Sequence, residues 1–337
     1  MSFYDRLGIR LGIRRRVRSV VHCIWPPKPK PLILMYHRIA DEPLDRWSIA
    51  VSPTHFEEHL RVLRGTRYPL LLTDFVRHLT AGTLPANAVA LTFDDGYVDN
   101  LVAAKPRLAG ADVPATVFLA TGYVDRPDEF WWDDLARLIL AGTGPQVLEL
   151  AIDGKAMSFD LGPEAPVHPG GTTAEASLAR RRALTAIWQT LRRLNYEARE
   201  SIMTELRSKF TVRDNRVNRG RAMTREEVRS LAADGLVAIG AHTVTHPMLS
   251  TLGADACRRE IADSKDACEA IIGTPVTSFA YPYGDFDEKA REAVQLAGFS
   301  IACSVLHGPA VATSDLFALP RIHVDDWNGD EFESALR

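Results

Sequence analysis

Polar and apolar positions along this chain alternate between two rhythms. Short, almost unbroken apolar runs recur at 32–39, 88–93, 115–120, 237–241, 277–281, 300–305 and 318–324. Runs this short and this apolar fit strands buried on both faces. Helical patterns lie between most of them. Ser52-Pro53 reads as a helix start, with serine as cap and proline in the first turn, and Phe56, Leu60 and Leu63 continue it as a stripe. Thr224, with Glu227 after it, is a capping box. Lys105-Pro106 interrupts another helical pattern. Short buried strands alternating with helices predict an α/β fold, a parallel sheet or distorted (β/α) barrel.

Residues 142–221 break the rhythm. They open Gly- and Pro-rich through Gly171, then give helical stripes at Leu184, Ile187, Leu191 and Leu194, and at Ala198, Ile202, Leu206 and Phe210. We read this stretch as a helical insertion on the barrel. Its arginines are most simply a solvated face, and otherwise a contact for an anionic substrate or lipid surface. Residues 1–30 read as a basic leader and proline-rich linker, and 31–337 as one domain. The leader carries Arg14, Arg15, Arg16 and Arg18, but its apolar stretch at 20–25 is cut by Pro26 and Pro27. That is too short for a secretory signal or a membrane span. Two readings remain for it: a poorly ordered leader, or an interfacial segment that dips Phe3, Tyr4, Leu7 and Leu11 into a membrane surface.

Composition narrows the picture further. The chain has 337 residues, 46% hydrophobic and 25% charged, with a net charge of −3. That is an ordinary globular balance with no global pull toward nucleic acid. The four cysteines (Cys23, Cys257, Cys268, Cys303) are too few and too scattered for a disulfide framework. Their use fits a reducing compartment. The expectation is a cytoplasmic protein, with contact at the inner membrane face left open.

Two apolar runs end in residues that carry chemistry. One closes in Thr92-Phe93-Asp94-Asp95-Gly96, the other in His242-Thr243-Val244-Thr245-His246. In barrels the carboxyl ends of strands hold the active site. One Asp and two His make a three-ligand metal site with open positions, and the other Asp is then free to act as a base. That set points to metal-assisted hydrolysis. The bland alternatives are an acidic turn and two structural histidines. Histidines four apart share a helix face, but Pro247 disfavours helical geometry at His246 and 236–240 is strand-like. Adjacent strand residues point opposite ways, so only a bend brings both aspartates into one cavity. A cation would offset their repulsion. A third string, Ala280-Tyr281-Pro282-Tyr283-Gly284, runs a strand into a turn with aromatics at the same rim. Trp131-Trp132 poses the same choice between sugar stacking and core packing.

Together these strings resemble the polysaccharide deacetylases of the NodB-homology type, carbohydrate esterase family four. The resemblance spans about 32–324, with 142–221 outside it. The Leu34-Met35-Tyr36-His37-Arg38 opening and Phe279 to Gly284 resemble the subgroup acting on bacterial exopolysaccharides and chitooligosaccharides. The resemblance implies a distorted NodB-type barrel and roles for named residues. Asp94 matches the catalytic base. Asp95, His242 and His246 match ligands of one divalent metal, zinc first, with cobalt or nickel open. Tyr283 matches the residue whose backbone N–H holds the oxyanion. His323, in Arg321-Ile322-His323, matches the general acid. Tyr281, Tyr283, Trp131 and His37 are expected at the substrate.

Three departures stand out. Tyr97 replaces a proline that often follows the acidic string. Ala280 stands where many members have an arginine that orients the base. The Asp- and Trp-containing fourth motif is not recognisable near 301–306, although Asp325-Asp326-Trp327 has similar residues after the last strand. Arg321 is the candidate replacement cation, because the last strand of a closed barrel lies beside the first. The expected function is metal-dependent N-deacetylation of amino-sugar oligo- or polysaccharides with release of acetate. The rival reading is a non-catalytic carbohydrate-binding member of the same fold. Phosphoester hydrolysis is disfavoured because no second metal cluster shows in the sequence.

Overall fold

The computed structural model describes residues 29–42, 45–152, 154–162, 174–212 and 220–337. The basic leader expected at the start lies outside them, save its last two residues. The strands are β1 Leu32–Tyr36, β2 Arg38–Ile39, β3 Ala50–Val51, β4 Tyr68–Pro69, β5 Ala88–Phe93, β6 Ala115–Leu119, β7 Val147–Ile152, β8 Lys155–Asp160, β9 Val237–Ala241, β10 Ser278–Ala280, β11 Ile301–Cys303 and β12 Ile322–His323. The helices are α1 Pro53–Thr66, α2 Leu72–Thr80, α3 Lys105–Ala111, α4 Trp131–Ala141, α5 Ala174–Leu191, α6 Tyr196–Lys209, α7 Arg225–Ala232, α8 Ala254–Ile272, α9 Glu288–Leu296 and α10 Gly329–Ala335. Among the described residues no helix is long and apolar enough to cross a membrane.

The main sheet is wholly parallel, in the order β11-β10-β9-β6-β5-β1-β12, with β4 against the start of β5. It curls into a half-barrel. The chain before β12 ties the two ends together: the Ala302 N–H donates to the Leu316 carbonyl at 2.8 Å and the Ser304 N–H to the Leu319 carbonyl at 2.9 Å. Strand β12 pairs with β1, setting Met35 opposite His323.

Period-two alternation sorts the side chains. Ile33, Ala88, Ala90, Phe118, Ala280 and Cys303 face inward and pack with Leu72, Phe75, Val76 and Leu79 of α2. Leu32, Leu34, Val89, Leu91, Phe93, Val117 and Ile239 face outward into the main core under the surrounding helices. Each buried aliphatic or phenyl side chain stabilises by roughly 1.5–3 kcal/mol. The caps expected from sequence are formed. Ser52 accepts from the His55 N–H at the start of α1, and Thr224 with Glu227 makes a full capping box on α7.

The stretch 142–221 is not helical alone. Strands β7 and β8 pair antiparallel, Val147 opposite Asp160 and Ile152 opposite Lys155. Strand β7 alternates exposed and buried residues along its length. The hairpin, α4, α5 and α6 share a second core that includes Trp131, Leu148, Leu184, Ile187, Ile202 and Leu206. The arginines expected on a solvated face also divide. Arg180 and Arg199 are buried, at 1% and 0% exposure.

Candidate metal and catalytic site

Strand β5 delivers both carboxylates. Ala88 and Ala90 point inward, Thr92 continues the same parity, and Asp94 is the next inward position. Asp95 would then face outward. Its backbone instead adopts a left-handed φ of 73°, which turns the side chain back to the same cavity. This is the bend that the paired aspartates require.

Strand β9 delivers the histidines. His242 follows its last residue, and the Pro247-ended turn brings His246 back toward it, with imidazole centroids 4.9 Å apart. Thr243 at φ 66° and His246 at φ 56° make that turn left-handed. Backbone of this kind costs about 1–3 kcal/mol per residue and gathers at functional sites. The His242 Nδ1 is 2.7 Å from the Ala280 carbonyl, so its Nε2 faces the carboxylate. The His242 Nε2 lies 3.6 Å and the His246 Nε2 3.3 Å from Asp95 Oδ1.

The chemistry of this trio suits a divalent metal. The three ligand atoms all fall within 4.8 Å of one another, and all three residues are buried. Asp95 Oδ1 has no hydrogen-bond partner. Burial, then the charges of Asp94 and Asp133, pushes the Asp95 carboxyl well up. Burial pulls both imidazoles down, which keeps them in the neutral, ligating form. A cation among them would reverse the cost of the buried carboxylate.

Asp94 has a different partner. Arg321 donates from Nη1 to Asp94 Oδ1 and from Nη2 to Oδ2, both at 2.7 Å. The same guanidinium reaches Thr92 Oγ1 at 3.1 Å and the Ser304 carbonyl at 2.9 Å. Burial alone would raise the Asp94 carboxyl, but Arg321 and His242 outweigh it and hold it at about 2. Position 280 carries only a methyl group, in the same inner cluster as Phe118, over which the Arg321 guanidinium lies at 5.8 Å. The cation thus comes from the chain entering β12 rather than from β10, at the place the pairing of β12 with β1 suggests.

The four residues line one cavity of about 50 Å³ with His37, Trp47, Trp132, Trp188, Tyr281 and Tyr283. Trp131, expected at the substrate, is not part of this wall. It is buried in the second core with Arg199 over its ring at 5.1 Å. Trp132 takes the position instead, its ring 4.6 Å from His246, because successive residues at a helix start point about 100° apart. Tyr97, which stands where a proline was expected, accepts from Trp132 Nε1 and donates to Asp133 Oδ2, both at 2.7 Å. It therefore fixes the tryptophan. Tyr281 lines the cavity while its ring stacks on Phe286 at 4.5 Å. Tyr283 sits in a left-handed turn at φ 59°, with a buried hydroxyl that has no partner.

The two remaining histidines differ. His37 lines the cavity, and its buried Nδ1 has no partner. Burial pushes its imidazole down to about 3, against the upward pull of Asp94. His323 lies behind it, ring centroids 5.8 Å apart, with Nε2 at 2.8 Å from the Ser48 carbonyl. It is not part of the cavity wall, since its position opposite Met35 turns it toward the loop before β3. Sequence reasoning missed Trp47 and Trp188. They come from a loop and from α5, and their rings meet at 5.1 Å over the cavity. No local pattern announces such a meeting.

Comparison with known proteins follows the same outline. The family model for polysaccharide deacetylase matches residues 81–144 and 156–302. Between its first and last matched residues it passes over only 145–155, so it includes most of the stretch that the sequence resemblance left out. The putative polysaccharide deacetylase YxkH of Bacillus subtilis (strain 168) is 28% identical over 102 residues, 30% of this chain and 36% of that relative's length. The structure is similar to the Streptococcus pyogenes deacetylase PplD in complex with acetate, with TM-score 0.58 and 20% identity over 92% of this chain and 99% of that one. It is also similar to IcaB from Ammonifex degensii, with TM-score 0.56 and 17% identity over 91% and 97% of the two chains. At these identities the structural likeness bears on the fold.

Proposed function

Because the chain belongs to the polysaccharide deacetylase family, we propose that it hydrolyses N-acetyl groups of amino-sugar polymers in a metal-dependent reaction. The observation that carries this reading is the division of labour between neighbouring aspartates. Asp95 faces two imidazoles, while Asp94 is held ionised by Arg321 in the same cavity. A divalent metal held by Asp95, His242 and His246 would polarise the acetyl carbonyl and lower the pKa of a bound water. Zinc suits three N/O donors with open positions, and cobalt or nickel suits them nearly as well.

The protein's own groups account for the proton movements. Asp94 accepts the proton of the attacking water as its oxygen bonds to the acetyl carbon. The Tyr283 N–H suits the oxyanion that forms. The C–N bond then breaks, and the departing nitrogen takes a proton. Delivery needs a protonated donor, and burial holds the His37 imidazole in its neutral form; the resemblance assigns the step to His323, whose ring lies 5.8 Å from that of His37. The products are acetate and a free amine.

The alanine at 280 and the unrecognised fourth motif would fit a non-catalytic member of the fold. The bidentate Arg321 contact weakens that reading, because a pure binder needs no ionised base. The test is acetate release from a panel of β-1,4- and β-1,6-linked N-acetylglucosamine oligomers, with zinc-loaded and chelated protein. Release that depends on metal and on Asp94 supports the reading. Tight oligosaccharide binding with no acetate from any member overturns it.

A further inference from the structure

The two candidate metal-ligating histidines are oriented in different ways. The His242 ring is fixed directly, by its Nδ1 at the Ala280 carbonyl. The His246 Nδ1 is buried and has no hydrogen-bond partner. What aims His246 is therefore the backbone of the turn that carries it, together with the Trp132 and Tyr283 rings that flank it at 4.6 and 4.5 Å. That turn holds two residues at left-handed φ. Strained backbone persists only where its surroundings fix it.

The turn is gripped from two sides. From α8, Glu260 accepts the Val244 N–H at 2.9 Å and the Thr245 N–H at 2.8 Å through Oε2, and the Thr245 hydroxyl at 2.7 Å through Oε1. From α6, Arg199 donates through Nη2 to the Thr245 carbonyl at 2.7 Å. The peptide units on either side of Thr245 are thus clamped between a carboxylate and a guanidinium. The arginine is the more unusual partner. It is completely buried, and its Nε and Nη1 have no partner. Its guanidinium lies over the rings of Trp131 at 5.1 Å and Tyr196 at 5.9 Å. No carboxylate pairs with it among the described residues. A buried guanidinium with so few hydrogen bonds is costly. A leucine or methionine would pack there without that cost but could not hold the Thr245 carbonyl.

We propose that Arg199 is a positioning residue for the metal site, fixing His246 through the Thr245 carbonyl and so making metal affinity depend on the segment that carries α6. This rests on the metal-site reading of Asp95, His242 and His246. Arg199 takes no part in the chemistry itself. It acts as outer-shell partners of metal ligands do, and removal of such a partner typically costs about 10–100-fold in metal affinity.

The test uses the full chain and zinc alone. The zinc dissociation constant is measured by chelator competition for wild type, Arg199→Met, Arg199→Lys and Asp95→Ala, with thermal unfolding of each metal-free protein alongside. Arg199→Met is expected to weaken zinc binding about 10–100-fold while the metal-free protein still unfolds cooperatively. Arg199→Lys, which keeps a donor on a long stem, should recover part of the loss and is the variant to read if the methionine form does not fold. Hydrogen exchange at 243–246 should rise in the methionine form and return partway in the lysine form. Wild-type affinity in both Arg199 variants, with zinc lost from Asp95→Ala, overturns the proposal and leaves the metal site standing. Zinc bound equally by wild type and Asp95→Ala overturns the metal site itself.

Discussion

The two edges of the parallel sheet are built on opposite terms. At the edge where strands begin, the left-handed glycines Gly82, Gly235, Gly273 and Gly298 have open space where a Cβ would stand. Gly273, before β10, has φ 74° and closes α8 through a 2.8 Å bond from its N–H to the Glu269 carbonyl. Charges there pair at the surface, as Lys105 does with Asp234 at 3.1 Å. At the edge where strands end, Asp95, Thr243, His246 and Tyr283 adopt left-handed backbone with full side chains. Asp94, Asp95, His242, His246 and Arg321 are all buried beside them. The first edge gives most of its left-handed positions to glycine, with Asp112 before β6 at φ 51° as an exception. The other keeps strain and buried charge together, in the side chains that the proposed chemistry would use.

Substitutions can break this contrast, and the largest effect is expected at Asp95. Asp95→Ala should abolish stoichiometric metal and acetate release together. It should also stabilise the metal-free protein against heat, because it removes a carboxyl that burial disfavours. Metal analysis, activity and thermal unfolding on one preparation read all three. If the metal-free variant is less stable than metal-free wild type, Asp95 belongs with ordinary structural residues.

Asp94→Asn should keep the metal and lose about 10²–10⁴-fold in kcat/KM, the usual contribution of a general base. Loss of metal in a folded Asp94→Asn protein would reverse the roles of the two aspartates. Arg321→Met removes one partner of a fully buried pair. It should destabilise by about 3–5 kcal/mol in urea unfolding and lower kcat more than it raises KM. A smaller stability loss with unchanged kcat would mean that Asp94 needs no cation.

Much of this edge is legible from sequence, for identifiable reasons. The parity of Ala88, Ala90, Thr92 and Asp94 follows from alternation alone, and Asp95 then has to bend. Arg321 is legible because β12 closes beside β1, although β12 itself is shorter than the apolar run that announced it. The hairpin of β7 and β8 was also within reach: two alternating runs flank Asp153-Gly154, a strong hairpin signal. The Gly- and Pro-rich sequence around it hid that signal. Other features are not written locally. Trp131 and Trp132 differ only by a rotation about α4 that depends on where the helix begins. Arg199 looks like any surface arginine until α6 packs against the turn at Thr245. Trp47 and Trp188 meet only because a loop and α5 converge on the same cavity.

The smallest expected effect is the sharpest check on the contrast between the edges. Gly273 and Gly284 both have positive φ, 74° and 64°, so alanine is strained at either. At Gly273 a Cβ meets nothing within 4 Å, and only the backbone term remains. Gly273→Ala should therefore cost about 1 kcal/mol and leave kcat/KM unchanged. At Gly284 the Cβ would stand 2.2 Å from Val305 Cγ2, on the residue after Tyr283. Either Val305, itself part of the cavity wall, or the Tyr283 turn must move. Gly284→Ala should then cost more stability than Gly273→Ala and lower kcat/KM as well. Urea unfolding and acetate release on the two variants separate the terms. Equal stability losses with activity intact in both would mean that the strand-end turn is no more constrained than the helix cap on the far side, and the contrast between the edges would rest on charge alone.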